Sequence, residues 1–176
     1  MLLATASGDG TAQTFDLRVA AGPGGARPVA VMPVGGEVLG LDWNKYRPMT
    51  LATGSTDRTV KVWDARSVRP AVGTPSAQTS LGEAAVLVGH QYAVRNVAWS
   101  PHEANCLASA SYDMSARLWN VDDAARAAQV PLLNRPRQTY PGHREFVMGL
   151  AWSLFEPGWI ATTSWDTETH VWPVSI

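Results

Sequence analysis

Apolar residues in this chain fall into short stretches of about six, broken by Gly, Pro, Asp and Asn. Residues 37–43 show the pattern: Val38, Leu39, Leu41 and Trp43 are apolar among smaller and polar neighbours. Near-alternation over so short a run predicts a half-buried β-strand. The same reading predicts strands over residues 2–7, 11–16, 28–32, 50–55, 59–64, 84–88, 92–99, 106–111, 115–120, 137–140, 145–152, 159–164 and 168–174. Residues 28–32 are expected at a sheet edge, because Pro28 and Pro33 cannot donate to a central ladder. Gly8-Asp9-Gly10 suits a tight turn, since Gly tolerates positive φ and Asp bonds its own backbone. Residues 20–27 and 67–80 read as polar Gly/Pro-containing loops, the second mobile. Residues 122–129 could form one short helix.

The strands recur as a unit. Asp9, Asp57, Asp113 and Asp166 each stand six residues before an aromatic: Phe15, Trp63, Trp119 and Trp172. Trp43, Trp99 and Trp152 each stand fourteen residues before the last three of those aspartates. Fixed spacings at a period of about 50 residues mark a repeated supersecondary unit. The expected units cover residues 1–34, 35–88, 89–140 and 141–176, with three, four, four and three strands. A four-stranded antiparallel sheet cannot bury both faces alone, and radial stacking into a propeller covers them. The first unit lacks its first strand and the last lacks its fourth. These could pair to close a ring, but four blades would be tight. The expected fold class is therefore all-β, a propeller of which this chain holds about three and a half to four blades. It is expected to be incomplete at the N-terminus.

Composition narrows the function classes. The formal net charge is −1, charged residues make up 16%, and there are eight tryptophans. So small a net charge argues against nucleic acid as a partner. No run is long and apolar enough for membrane insertion. Met1-Leu-Leu-Ala-Thr-Ala lacks a basic start and reads as strand, not as a leader. The lone Cys106 forbids an internal disulfide and a cysteine metal cluster. Arg58, Lys61, Arg66 and Arg69 read as a solvated face, and Asp122-Asp123 as a solvated or helix-start pair. With no phosphate loop, GxSxG elbow or His-x-x-x-His pair, no cofactor or metal is expected.

One constellation resembles a catalytic triad: His90, Asp113 and Ser109 or Ser111. It recurs as His143, Asp166 and Thr162 or Ser164, the histidine lying twenty-three residues before the aspartate both times. A hydrolase needs one such site with an oxyanion hole, so recurrence favours a structural network. Such a network would run from Trp119 through Ser109 or Ser111 to His90 and Asp113, satisfying a buried indole, hydroxyl and imidazole. The repeat would do the same from Trp172. In the unit with Asp57, Ser55 and Trp63, Val34 replaces the histidine, so that network should be incomplete. Phe15 has no indole donor at all. Tyr112 and Trp165, just before the turn aspartates, read equally as packing on a neighbouring blade or as a contact surface.

Gly89-His90, Gly142-His143, the turn aspartates and Trp63-Asp64 resemble the WD-repeat family of seven-bladed β-propellers. Departures are Val34, Phe15-Asp16, Asn120 and Pro173. The tract from His90 through Tyr92-Ala-Val-Arg95 to Ser111-Tyr-Asp113, together with 143–153, 164–169, 41–46 and 62–70, is similar to the peroxin-7 family of receptors for the type-2 peroxisomal targeting signal. The resemblance implies a non-enzymatic receptor of the cytoplasm and peroxisome matrix. It implies two kinds of partner, cargo proteins with a type-2 targeting-signal helix and a peroxisomal import co-receptor. A basic, apolar signal helix wants carboxylates beside aromatics. Glu37, Tyr92, Tyr112, Glu145, Phe146 and Trp165 are expected to cluster at one propeller end and supply them. Another WD-repeat scaffold, a histone-binding protein or a ubiquitin-ligase substrate adaptor, is the alternative.

Overall fold

A computed structural model describes residues 2–18, 27–70, 79–121 and 136–174. Every regular element in them is a strand: β1 (Leu2–Ala6), β2 (Thr11–Asp16), β3 (Ala30–Pro33), β4 (Val38–Trp43), β5 (Thr50–Ser55), β6 (Thr59–Pro70), β7 (Thr79–Val88), β8 (Val94–Trp99), β9 (Cys106–Ser111), β10 (Ala116–Asn120), β11 (Gln138–Tyr140), β12 (Val147–Trp152), β13 (Trp159–Ser164) and β14 (Thr169–Pro173). They form four blades, β1–β3, β4–β7, β8–β11 and β12–β14, antiparallel within each blade. No helix occurs among the described residues, and the expected helix at 122–129 lies outside them.

The hairpin turns explain the fixed aspartate. In every repeat its Oδ1 accepts the backbone N–H two residues on: Thr11, Thr59, Ser115 and Glu168, at 2.9–3.1 Å. The residue just after it takes a positive φ: 83° at Gly10, 72° at Arg58, 63° at Met114 and 69° at Thr167. Only Gly10 adopts that conformation without steric cost. The innermost strands share a bulge, with irregular pairing between Val38 and Gly40, Val94 and Asn96, and Val147 and Gly149. The bulge puts Val38 on the same side as Leu41 and Trp43, which strict alternation would forbid.

Three apolar clusters hold the blades together, one at each junction. Ala12 and Met32 of the first blade pack with Leu51 and Trp63 of the second. Ala52, Val60 and Val62 of the second pack with Val94, Leu107 and Trp119 of the third. Ala108, Ala116 and Leu118 of the third pack with Ile160 and Trp172 of the fourth. Each fully buried Leu or Ile contributes about 1.5–3 kcal/mol. The sheets approach so closely that a Cβ at Gly54 would lie 2.8 Å from Val94 Cγ1.

Three strand expectations need correction. The strand expected over 28–32 is not an edge: β3 lies between β2 and β7, and its parallel pairing with β7 at Ala30 and Val31 joins the first two blades into one seven-stranded sheet. Pro28 lies outside β3 and Pro33 ends it, so neither interrupts that pairing. The loop expected over 67–80 is strand at both its ends, since β6 and β7 pair as far as Pro70 and Thr79 after an irregularity at Asp64, and residues 71–78 lie outside the described residues. Finally, among the described strands β1 pairs only with β2 and β14 only with β13, so the terminal strands do not close a ring by pairing.

Candidate functional site

The third blade carries a complete hydrogen-bonded chain. Trp119 Nε1–H donates to Ser109 Oγ at 2.8 Å, and Ser109 lies 2.7 Å from His90 Nε2. His90 Nδ1 is 2.8 Å from Asp113 Oδ2. An indole is donor-only and an ionised carboxylate acceptor-only, so the direction is fixed. Ser109 donates to Nε2, and Nδ1–H donates to Asp113. Burial lowers the His90 pKa, which keeps the ring neutral as this chain requires. Burial alone would raise the Asp113 pKa, but bonds from His90, Ser115 and the Gln91 N–H hold it well below the usual carboxylate range. Ser111, offered by the sequence as an alternative link, has another task. It donates to the Tyr92 and Ala93 carbonyls and accepts the Asp113 N–H, pinning the entering loop to the turn.

The fourth blade repeats this. Trp172 donates to Thr162 Oγ1 at 3.2 Å, Thr162 lies 2.9 Å from His143 Nε2, and His143 Nδ1 is 3.0 Å from Asp166. Ser164 bonds the Glu145 carbonyl and the Asp166 N–H.

The second blade is rewired. Trp63 donates to Thr53 at 2.9 Å, but Val34 offers no ring. Lys61 fills the place instead: its ammonium bonds the Val34 carbonyl and sits 3.4 Å from Asp57 Oδ2. Lys61 is therefore a largely buried anchor, not part of a solvated face as its neighbours in sequence suggested. Ser55 closes onto the other oxygen of Asp57. The position four residues after the turn aspartate is basic in three repeats: Lys61, Arg117 and His170. Arg117 reaches Asp113 at 3.4 Å, and His170 stacks on His143 with ring centroids 4.2 Å apart. That recurrence was visible in the sequence and was missed.

These networks tie two loops of each blade together at one end of the sheets, where the six expected contact residues lie. The backbone N–H groups of Thr56, Tyr112 and Trp165 bond the carbonyls of Glu37, Ala93 and Phe146. Tyr112 stacks on Phe146 of the next blade at 4.9 Å, and Phe146 meets Trp165 at 5.4 Å. Tyr112 thus does pack on a neighbouring blade, and it joins an aromatic row that runs out to solvent. Trp165 is 62% exposed, Tyr92 61%, and Glu37 and Glu145 are exposed. Tyr92 makes no ring contact with the row among the described residues.

Ser109 and Thr162 are fully buried and bonded on both sides. No three His, Cys, Asp or Glu side chains among the described residues could hold a metal ion. Burial, with Glu103 nearby, pushes the Cys106 thiol up to about 12, which makes it inert.

A family model described as WD domain, G-beta repeat matches residues 27–64, 82–120 and 134–173. The chain is 34% identical over 185 residues to the peroxisomal targeting signal 2 receptor of Saccharomyces cerevisiae, covering 97% of this chain and 49% of that protein. It is 36% identical over 147 residues to the receptor of the same name from Komagataella phaffii, covering 77% and 37%. With the mouse receptor of that name it shares 41% identity over 86 residues, 49% of this chain and 24% of that protein. The chain spans about half the length of the curated relatives it matches, or less.

Proposed function

Because the chain belongs to the WD-repeat family of β-propeller proteins, we propose that it carries part of a receptor for the type-2 peroxisomal targeting signal. It binds the signal helix of cargo proteins and acts with an import co-receptor between cytoplasm and peroxisome matrix. The similarity to receptors of that name supports the class of ligand. The observation that carries the site is the aromatic row of Tyr112, Phe146 and Trp165 beside the exposed Glu145.

An amphipathic helix lays its apolar side on such a row. Its basic side chains meet the carboxylates of Glu145 and Glu37, and an aromatic face attracts a cation as well. The reading is of a binding surface without catalysis. Both triad-like sets of groups are consumed in holding the loops that present it.

The test is Glu145→Arg in the full chain, with a fluorescent type-2 signal peptide and anisotropy at low salt. Among the described residues Glu145 is held only through its backbone carbonyl, so the variant should melt like the parent. Affinity should fall at least several-fold, and more at low salt than at high salt. Equal affinity for parent and variant would remove the carboxylate from the site.

A further inference from the structure

One backbone tether repeats at the end of the blades that carries the aromatic row. Glu37, Ala93 and Phe146 each precede a buried valine: Val38, Val94 and Val147. Those valines pair across the ladder with Ser55, Ser111 and Ser164. The carbonyls of Glu37, Ala93 and Phe146 accept the backbone N–H of the residue just before the turn aspartate, which is Thr56, Tyr112 or Trp165, at 3.0–3.1 Å. Equal register and an equal tether give the three side chains one equivalent place on successive blades. Tyr92 and Glu145, one residue earlier, correspond as well, since Ser111 Oγ and Ser164 Oγ donate to their carbonyls.

The fourth blade shows what that place holds. Phe146 lies between two rings, Trp165 of its own turn at 5.4 Å and Tyr112 of the preceding blade's turn at 4.9 Å. One blade earlier, the same place lies between Tyr112 and Thr56. There Ala93 puts only a methyl group where Phe146 puts a ring. Ala93 is half-buried, and Thr56 is exposed. Glu37, whose carbonyl Thr56 holds, is exposed on the second-blade side, and Glu145 is exposed on the fourth-blade side. The place over Ala93 and the place of Phe146 stand at inner junctions, with described blades on both sides of each.

We propose that the opening over Ala93, between Tyr112 and Thr56, is a subsite that takes one large apolar side chain of the bound signal helix, seated there as Phe146 is seated in the next blade. This rests on the reading of the chain as part of a signal receptor. Filled, the subsite continues the aromatic row by one position toward the second blade. It also fixes where the helix lies along the row. The carboxylates of Glu37 and Glu145 stand to either side, so basic residues of the helix flank the anchored one. Ala93 is the residue that sets the size of side chain accepted, because a ring at that position closes the opening.

Fluorescence anisotropy on the full chain tests this, with a type-2 signal peptide and a set of peptides in which each apolar residue in turn is shortened to Ala. Ala93→Phe should weaken binding of the unshortened peptide by about 10-fold or more. Ala93 holds the fold through its carbonyl, so the variant should melt like the parent. Should it melt lower, Ala93→Leu probes the same opening. One shortened peptide should lose about 10-fold on the parent chain and little more on Ala93→Phe, because the group that filled the opening is already gone. Every other shortened peptide should lose the same factor on both chains. Parent-like affinity in Ala93→Phe would overturn the proposal, as would losses that multiply for every peptide. Sensitivity to Glu145→Arg in the same assay would then leave the receptor reading standing. A signal peptide that fails to bind the unaltered chain would overturn that reading and the subsite with it.

Discussion

Ser109→Ala should cost more than the loss of one hydroxyl suggests, and the second blade supplies its control. Ser109 Oγ accepts the Trp119 indole N–H at 2.8 Å and satisfies His90 Nε2 at 2.7 Å. All three groups are buried. Alanine therefore strands two buried polar atoms, each at about 1–3 kcal/mol, for an expected loss of about 2–6 kcal/mol. In the second blade Thr53 accepts only the Trp63 N–H from a ring, since Val34 stands where His90 stands. Thr53→Val strands one group, for about 1–3 kcal/mol. Urea unfolding followed by tryptophan fluorescence reads both, from midpoint shifts at a common slope. Adding His90→Val to Ser109→Ala should recover part of the loss, because the unpaired imidazole nitrogen is removed with its ring. Equal losses for Ser109→Ala and Thr53→Val, or no recovery in the double variant, would refute the account of a shared hydroxyl.

Two other outcomes follow from the same turns and networks. Thr167 is β-branched at φ 69°, where Gly10 stands in the first repeat. Thr167→Gly should stabilise by roughly 0.5–1 kcal/mol, the left-handed strain relieved less the added chain entropy; a thermal melt that falls would contradict this. Acid should weaken the fold in two stages. His90 is held below its ordinary value, so its contribution is complete above about pH 6.5 and is lost as pH falls toward the folded value. That stage should have a slope of at most about 1.4 kcal/mol per pH unit, and His90→Val should abolish it. The second stage lies below about pH 4, where Asp57, Asp113 and Asp166, all held low in the fold, take up protons. Urea midpoints across pH 3–8 check both stages.

Most strand positions were legible because the repeat spacing is rigid. Once Asp113 and Trp119 are placed in one hairpin, Asp57 with Trp63 and Asp166 with Trp172 follow. The histidine networks were legible for the same reason, but not the division of labour between Ser109 and Ser111. Both point to one side of β9, and only their distances from the Trp119 ring and the turn separate them. Lys61 was misread because its role depends on an absence elsewhere, the ring missing at Val34. The extension of β6 and β7 was hidden because Pro70 and polar residues look like loop, while pairing depends on the partner strand. Within the contact surface, the Tyr112–Phe146 stack crosses between blades, and no periodicity within one repeat encodes it.

At the other end of the blades, two loops reach forward along the chain. Tyr46 of the second blade donates its hydroxyl to the Pro101 carbonyl of the third, and His102 of the third reaches the Ser153 carbonyl of the fourth at 2.9 Å. Phe155 holds the equivalent place in the fourth and is 93% exposed. The second and third blades thus each extend a loop side chain toward the blade synthesised after them. During translation the earlier blade already displays the group that the next will meet. Blades can dock in the order in which they leave the ribosome, each seated by its predecessor before its successor exists.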